Sequence, residues 1–242
     1  MIKKFALIIP FLVIIFFTLA LFLLPSILDK NMNPVTEHAP YIVSDKAKKM
    51  HKSLIVGDWH ADSALWNRDL KKTYDYGHVD IPRLQKGNVA LQMFTTVTKS
   101  PAGQNYTKNS SDSRDNITAL AIVQMWPIRT WFSLYERAIF QSNKIRSLAK
   151  RDPNNFMLIE SRNDLDIFLF KRKNNPELVG GLIGTEGSHA LDGSIDNIER
   201  LYKNGFRMMS LQHFFDNKLG GSLHGTSGNG LTEFGIKAIN EM

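Results

Sequence analysis

The sequence contains no cysteine, and this absence excludes several kinds of site. Disulfide bonds, thiolate zinc sites, a cysteine nucleophile and a lipid-modified cysteine all require that residue. Any metal ion must therefore be held by histidine and carboxylate side chains. A G-x-S-x-G motif is also absent, and Ser227 lies in a Gly-rich stretch without a strand-to-helix elbow, so the sequence disfavours a serine hydrolase.

The charge pattern lacks the concentrated basic surface of a nucleic-acid-binding protein. The formal net charge is +7, from 30 basic and 23 acidic residues, and the basic clusters at 46–52 and 171–173 have no aromatic residues interleaved for base stacking. We therefore expect no nucleic-acid partner. The content of 43% hydrophobic and 22% charged residues is that of a folded globular protein.

A long hydrophobic run occurs at the amino terminus. Lys3 and Lys4 precede 24 uncharged residues from Phe5 to Leu28, enough to cross a bilayer core of about 30 Å at about 1.5 Å per residue. We predict that residues 1–30 form a transmembrane signal anchor; a cleaved signal peptide and a buried core helix are the alternatives. The lysines predict a cytoplasmic amino terminus, with the main domain in the periplasm or outside the cell.

After a predicted polar linker at 31–52, residues 53–242 alternate between short apolar runs and helical patterns. This alternation predicts an α/β fold with a parallel sheet. The predicted strands are Leu54–Val56, Ala90–Val97, Phe156–Ile159, Leu178–Thr185 and Phe206–Leu211. The predicted helices are Ile81–Lys86, Ile117–Lys150 with an interruption at Pro127, Asp164–Lys173, Ser194–Asn204 and Glu233–Met242.

Polar residues follow three of the apolar runs: His60 with Asp62, then Glu186, then His213. The carboxyl ends of parallel strands meet at one edge of a sheet, where α/β proteins place their sites. Residues i and i+2 of a strand face the same side, so His60 and Asp62 can point at one metal ion. Glu186 ends an apolar strand, where a buried carboxylate is costly without a cation.

Other polar residues have structural explanations. A second His-x-Asp pair ends at Asp80, which precedes Ile81-Pro82 and is typical of a helix N-cap, with Gly87 ending that helix. His78 then has no ligand role. For His189, in the turn after Glu186, a local hydrogen bond is the favoured role.

Several motifs, in this order, resemble the membrane dipeptidase (renal dipeptidase) family of zinc peptidases. They are "DWHAD", "HVDIPRLQKGNVALQMF", "GTEGSHAL", "LQHFFDNKLGGSLHG" and "GLTEFG", and the resemblance covers about residues 50–242. It implies a (β/α)₈ barrel with a two-zinc site that hydrolyses dipeptides, and it leaves a homodimer open. By motif, His60 and Asp62 would bind the first zinc, Glu186 would bridge both, and His213 would contact the substrate or the developing oxyanion.

The sequence departs from the family because it ends at Met242, before the family's two later zinc-ligating histidines and the residues for proton transfer and carboxylate binding. About five of eight barrel strands are present. We therefore hypothesise a truncated or split form of a longer membrane-bound dipeptidase. A catalytically silent, membrane-tethered binding protein with an incomplete metal site is the alternative. Another amidohydrolase or phosphoesterase is weaker, because His60-Ala61-Asp62 is not His-x-His.

Overall fold

A computed structural model describes residue 19 and residues 22–242 of the chain. Five strands and, after the helix at residues 22–32, eight further α-helices occur in these residues. The strands are β1 (Val56–Ala61), β2 (Val89–Val97), β3 (Phe156–Leu158), β4 (Val179–Glu186) and β5 (Phe206–Met209). The helices are α1 (Asp45–Ser53), α2 (Ile81–Lys86), α3 (Asn116–Val123), α4 (Arg129–Phe132), α5 (Leu134–Arg151), α6 (Arg162–Asn174), α7 (Asp196–Lys203) and α8 (Glu233–Glu241).

All five strands run parallel in one sheet, which confirms the predicted α/β class. β1 pairs with β2, and β2 pairs with β4 along Leu91–Val97 against Gly180–Glu186. The other edge of β4 is shared: β3 pairs with its first half and β5 with its second half. The carboxyl ends of β1, β2 and β4 therefore lie side by side.

The position of β3 differs from the order of a barrel, in which it would lie between β2 and β4. The chain reverses its direction along the sheet between β3 and β4, so a right-handed crossover requires α6 to lie on the opposite face from α5. The packing agrees with this rule. Phe168 of α6 packs in a cluster with Leu91 and Leu182, whereas Phe94 and Ile183 pack on the other face with α5.

The two faces of β4 are distinguished by the alternation of its residues. Gly180 pairs with Leu91 and lies beside Phe168, where an added Cβ would come within 3.1 Å of the Phe168 ring. Glu186 is six residues further along and points to the same side. Helix α6 thus covers the amino-terminal half of the face whose carboxyl end carries Glu186.

Strand β1 begins later than predicted and extends through the polar residues. The sequence predicted a strand at Leu54–Val56, but Leu54 and Ile55 are 51% and 66% exposed and precede the strand. Pairing with β2 continues to Ala61, with an irregularity between Asp58 and Ala61. His60 therefore lies within β1, and Asp62 follows directly after it.

Local helix signals were predicted more closely. Helix α2 has the predicted limits, and the Asp80 carboxylate accepts a hydrogen bond from the Arg83 N–H at 2.8 Å, which confirms the N-cap. Gly87 is the C-cap, although the left-handed residue is Asn88 with φ 54°. The predicted polar linker contains helix α1, which begins after Ser44 because its side chain accepts a hydrogen bond from the Ala47 N–H.

The amino-terminal region is helical from residue 22 to residue 32 and packs against the domain. In the part of the chain that the structure describes, no helix has the length and hydropathy required to cross a membrane. Most of the predicted anchor at 1–30 lies outside the described residues.

Candidate metal centre

The three predicted metal ligands meet at the carboxyl edge of the sheet. His60 is the penultimate residue of β1, Asp62 caps a single 3₁₀ turn that begins at Ser63, and Glu186 is the last residue of β4. His60 Nε2 lies 3.4 Å from Asp62 Oδ1 and 3.3 Å from Glu186 Oε1. One ligand atom from each residue lies within 4.8 Å of the other two. Among the described residues this is the one such group.

The charge around His60 favours a cation. A hydrogen bond with Asp62 raises the pKa of His60 to about 9, and the negative charges of Asp62, Glu186 and Asp58 act in the same direction, while burial opposes them. The imidazolium therefore occupies a place that two carboxylates make attractive to positive charge. A divalent ion with nitrogen and oxygen ligands fits the same place, provided that His60 loses its proton.

Hydrogen bonds hold the Asp62 carboxylate and the backbone of His60. The Thr95 hydroxyl donates to Asp62 Oδ1, and the Asp58 carboxylate accepts from the His60 backbone N–H at 3.0 Å. Thr95 was not predicted from the sequence as a site residue. Its signal was a threonine near the carboxyl end of an apolar strand, but the side of the sheet it faces depends on pairing with Gly184, two residues before Glu186.

Glu186 is held from its other side by His213. The Glu186 side chain is 7% exposed, and its Oε1 lies 2.6 Å from His213 Nε2. His213 comes four residues after β5 ends at Met209, so it lies in a loop and not at the predicted strand end. Ser210 secures the turn beyond Glu186, because its hydroxyl accepts from the Gly187 N–H at 2.6 Å.

His189 and His78 take no part in the cluster. The Nδ1 atom of His189 lies 3.1 Å from the Gly187 carbonyl oxygen, and its ring stacks on Phe215 at a centroid distance of 4.4 Å. The local hydrogen bond predicted for His189 is therefore confirmed. Burial lowers the pKa of His189 to about 4, which keeps the ring neutral at ordinary pH. His78 is exposed on the segment before α2.

A cavity of about 440 Å³ opens beside the cluster and is lined by Asp62, Glu186 and His213. Much of the remaining wall is apolar and includes Leu65 and Ile117. This volume lies within the range of small-molecule sites. The arrangement therefore offers a charged, metal-binding end and an apolar wall to one ligand.

Comparison with solved structures identifies the fold. A metallo peptidase from Rhodobacter sphaeroides, liganded with a phosphinate mimic of the dipeptide L-Ala-D-Ala, is similar with a TM-score of 0.56 and 17% identity, over 78% of this chain and 55% of that one. The probable dipeptidase PvdM from Pseudomonas aeruginosa gives 0.54 and 13%, over 81% and 46%. Dipeptidase AC gives 0.53 and 18%, over 78% and 53%.

At these identities the structures show a shared fold, and the chain spans about half the length of each of them. A search of curated proteins finds no match. The family model described as "Membrane dipeptidase (Peptidase family M19)", in contrast, matches residues 44–242, which is most of the chain and includes all four site residues. The chain belongs to the membrane dipeptidase family, peptidase family M19.

Proposed function

We propose that the chain carries the first metal site of a zinc-dependent dipeptidase. The observation that carries the proposal is the convergence of His60, Asp62 and Glu186 within 4.8 Å at the carboxyl edge of the sheet. Membership of a metallopeptidase family supports the same reading. In this proposal β1, β2, β4 and β5 correspond to consecutive strands of a (β/α)₈ barrel.

The donor set fits zinc. One imidazole nitrogen and two carboxylate groups are ligands that zinc accepts in catalytic sites, where a further position stays open for water or substrate. Bound zinc would lower the pKa of a water molecule and polarise the scissile carbonyl. In the complete two-zinc site, Glu186 would serve both ions, and the remaining ligands would come from a second set of histidines.

The protein's own side chains would position the ligands and the substrate. Thr95 fixes the Asp62 carboxylate through its hydroxyl, so this ligand is oriented before any ion binds. His213 Nε2 lies against Glu186 and lines the cavity. We expect its N–H to donate to a substrate oxygen when an ion engages the Glu186 carboxylate. Negative charge that develops on that oxygen would be stabilised there.

We propose dipeptides as the substrates. The cavity of about 440 Å³ is large enough for a short peptide, and a relative of similar fold is bound to a dipeptide mimic. We assign the activity to a complete site with a second set of ligands. The 242-residue chain alone is expected to bind the first ion and to hydrolyse dipeptides poorly.

Dipeptide hydrolysis and metal content test this proposal together. A longer form of the protein that carries the second set of ligands would hydrolyse L-Ala-D-Ala. It would lose this activity when a chelator removes the metal and regain it when zinc is added. Glu186→Gln should abolish activity, whereas Glu199→Gln, an exposed carboxylate paired with Lys203 on α7, should not change it. A longer form that lacks dipeptidase activity would contradict the proposal. Full activity of the 242-residue chain with two bound zinc ions would contradict the need for a second ligand set.

We also propose that the amino-terminal run tethers the protein to the cytoplasmic membrane, with the domain on its outer side. The apolar run that begins at Phe5, behind Lys3 and Lys4, supports this, and its last residues, which belong to the helix at 22–32 that packs against the domain, would lie outside the bilayer. In cells, the protein should sediment with membranes and resist extraction by high salt. Recovery entirely in the soluble fraction would contradict the tether.

A further inference from the structure

The cavity beside the metal cluster has both polar and apolar lining residues. Asp62, Glu186 and His213 supply charged and polar groups. An apolar wall includes Trp66 and Ile117, which belong to one apolar cluster and are 6% and 4% exposed. A ligand that places its polar atoms at the metal cluster would therefore have an apolar surface in the same cavity.

Part of that apolar wall comes from the amino-terminal helix at residues 22–32. Leu28 and Met32 both line the cavity. They are four residues apart, so they lie on one face of the helix. The family match begins at residue 44, so this wall lies outside the region that the chain shares with the family model. The helix therefore lies before the matched region and reaches the candidate site.

A buried ion pair attaches the helix to the domain. Asp29 Oδ2 lies 2.9 Å from Arg68 Nε, and the two side chains are 4% and 5% exposed. The Asn33 side chain donates to Asp29 Oδ1 at 2.8 Å, and the Asn33 carbonyl accepts from the Gly77 N–H at 2.7 Å. Removing one partner of a buried ion pair leaves an uncompensated charge, which strongly favours undocking. The helix is therefore fixed beside the cavity.

Gly77 allows this attachment. Its φ is +77°, and a Cβ at this position would lie 1.4 Å from Arg68 Nη1. A larger residue would be strained by the backbone conformation and would also displace the guanidinium from Asp29. The absence of a side chain at Gly77 therefore leaves the space that the Arg68 guanidinium needs to reach Asp29 of the helix.

We propose that the helix at 22–32 forms the apolar side-chain subsite of the candidate site, and that Leu28 and Met32 select dipeptides with a large apolar residue. This inference rests on the proposed dipeptidase function. A large apolar side chain seated at this wall would remove more apolar area from water than an alanine methyl group would. A change in the size of an apolar group in such a pocket alters preference by about 10- to 200-fold.

Calorimetric titration of the zinc-loaded chain with two phosphinate dipeptide mimics tests the proposal. One mimic carries an alanine side chain and the other a leucine side chain at the same position. The wild-type chain should prefer the leucine mimic by about tenfold or more. Leu28→Ala should remove most of that preference and leave the affinity for the alanine mimic within about twofold.

Two further variants make the result specific. Met32 is 66% exposed, so Met32→Ala does not endanger folding, and it should reduce the preference in the same direction. Ile27 is 51% exposed on the same helix and does not line the cavity, so Ile27→Ala is the matched control and should bind as the wild type does.

The outcomes separate this inference from the function on which it depends. If the wild-type chain binds neither mimic, the subsite is overturned, whereas the dipeptidase function is decided separately by hydrolysis of L-Ala-D-Ala in the longer form. If it binds both mimics without preference, or if Ile27→Ala loses as much preference as Met32→Ala, the dipeptide site stands and the role of the helix is overturned.

Discussion

Thr95→Val should weaken zinc binding without unfolding the protein. Thr95 is 1% exposed, and its hydroxyl donates to Asp62 Oδ1 from the neighbouring strand. Valine has almost the same shape but no donor. The substitution therefore releases one metal-ligating carboxylate from its partner and leaves the packing of β2 unchanged.

The size of the effect follows from the environment of Asp62. Loss of a hydrogen bond that orients a metal ligand lowers metal affinity by about 10- to 100-fold, or about 1.4 to 2.7 kcal/mol. The Asp62 side chain is 34% exposed, so water can replace the lost donor in the metal-free protein. The free energy of unfolding without zinc should therefore change by no more than about 1 kcal/mol.

Competition with a chromophoric chelator measures this affinity, and thermal unfolding with and without zinc provides a second readout. Thr96→Val is the matched control. Thr96 is also 1% exposed, but it faces the other side of the sheet, and its hydroxyl has no hydrogen-bond partner among the residues that the structure describes. Zinc affinity should be unchanged in this variant. Equal affinities for Thr95→Val and the wild type, or an equal loss in both variants, would refute the orienting role of Thr95.

Three further predictions concern pH and the core. Because the metal-free pKa of His60 is about 9, zinc must displace its proton, and apparent zinc affinity should rise about tenfold per pH unit between pH 6 and pH 8; a flat profile would exclude His60 as a ligand. His189 has a folded pKa of about 4 against 6.5 when unfolded, so only the unfolded state gains its proton as pH falls. Urea unfolding should show about 2 kcal/mol of extra loss between pH 7 and pH 5 in the wild type relative to His189→Gln, and parallel profiles would contradict this. Arg137 is 2% exposed and lies 2.6 Å from Asp115, so Arg137→Met should lower the free energy of unfolding by about 3 to 5 kcal/mol in the same assay, and a loss below about 1 kcal/mol would contradict it.

Local signals in the sequence predicted the elements whose limits depend on nearby residues. Helix α2 was predicted with its observed limits because Asp80, Pro82 and Gly87 act within one or two helical turns. The break near Pro127 was also predicted, and α3, α4 and α5 occupy the predicted helical region. The strands that carry the metal cluster were predicted from the alternation of strands and helices. The histidine and carboxylate ligands of the cluster were predicted from the motifs.

Features that depend on distant contacts were not predictable in the same way. The position of β3 outside β4, and therefore the face covered by α6, depends on which strands pair, and the alternation of elements does not encode that order. The extent of β1 was missed because its polar residues belong to the site and interrupt the apolar pattern. The docking of the helix at 22–32 depends on Asp29 meeting Arg68, which lies 39 residues away in the chain.

Zinc titration of the purified chain tests most directly whether three side chains of this chain bind one ion together. One zinc ion should bind through His60, Asp62 and Glu186, and His60→Ala and Glu186→Gln should each weaken that binding by at least about 100-fold while the metal-free proteins stay folded. A folded wild-type chain that binds no zinc, or a Glu186→Gln variant that binds it as tightly as the wild type, would contradict the account.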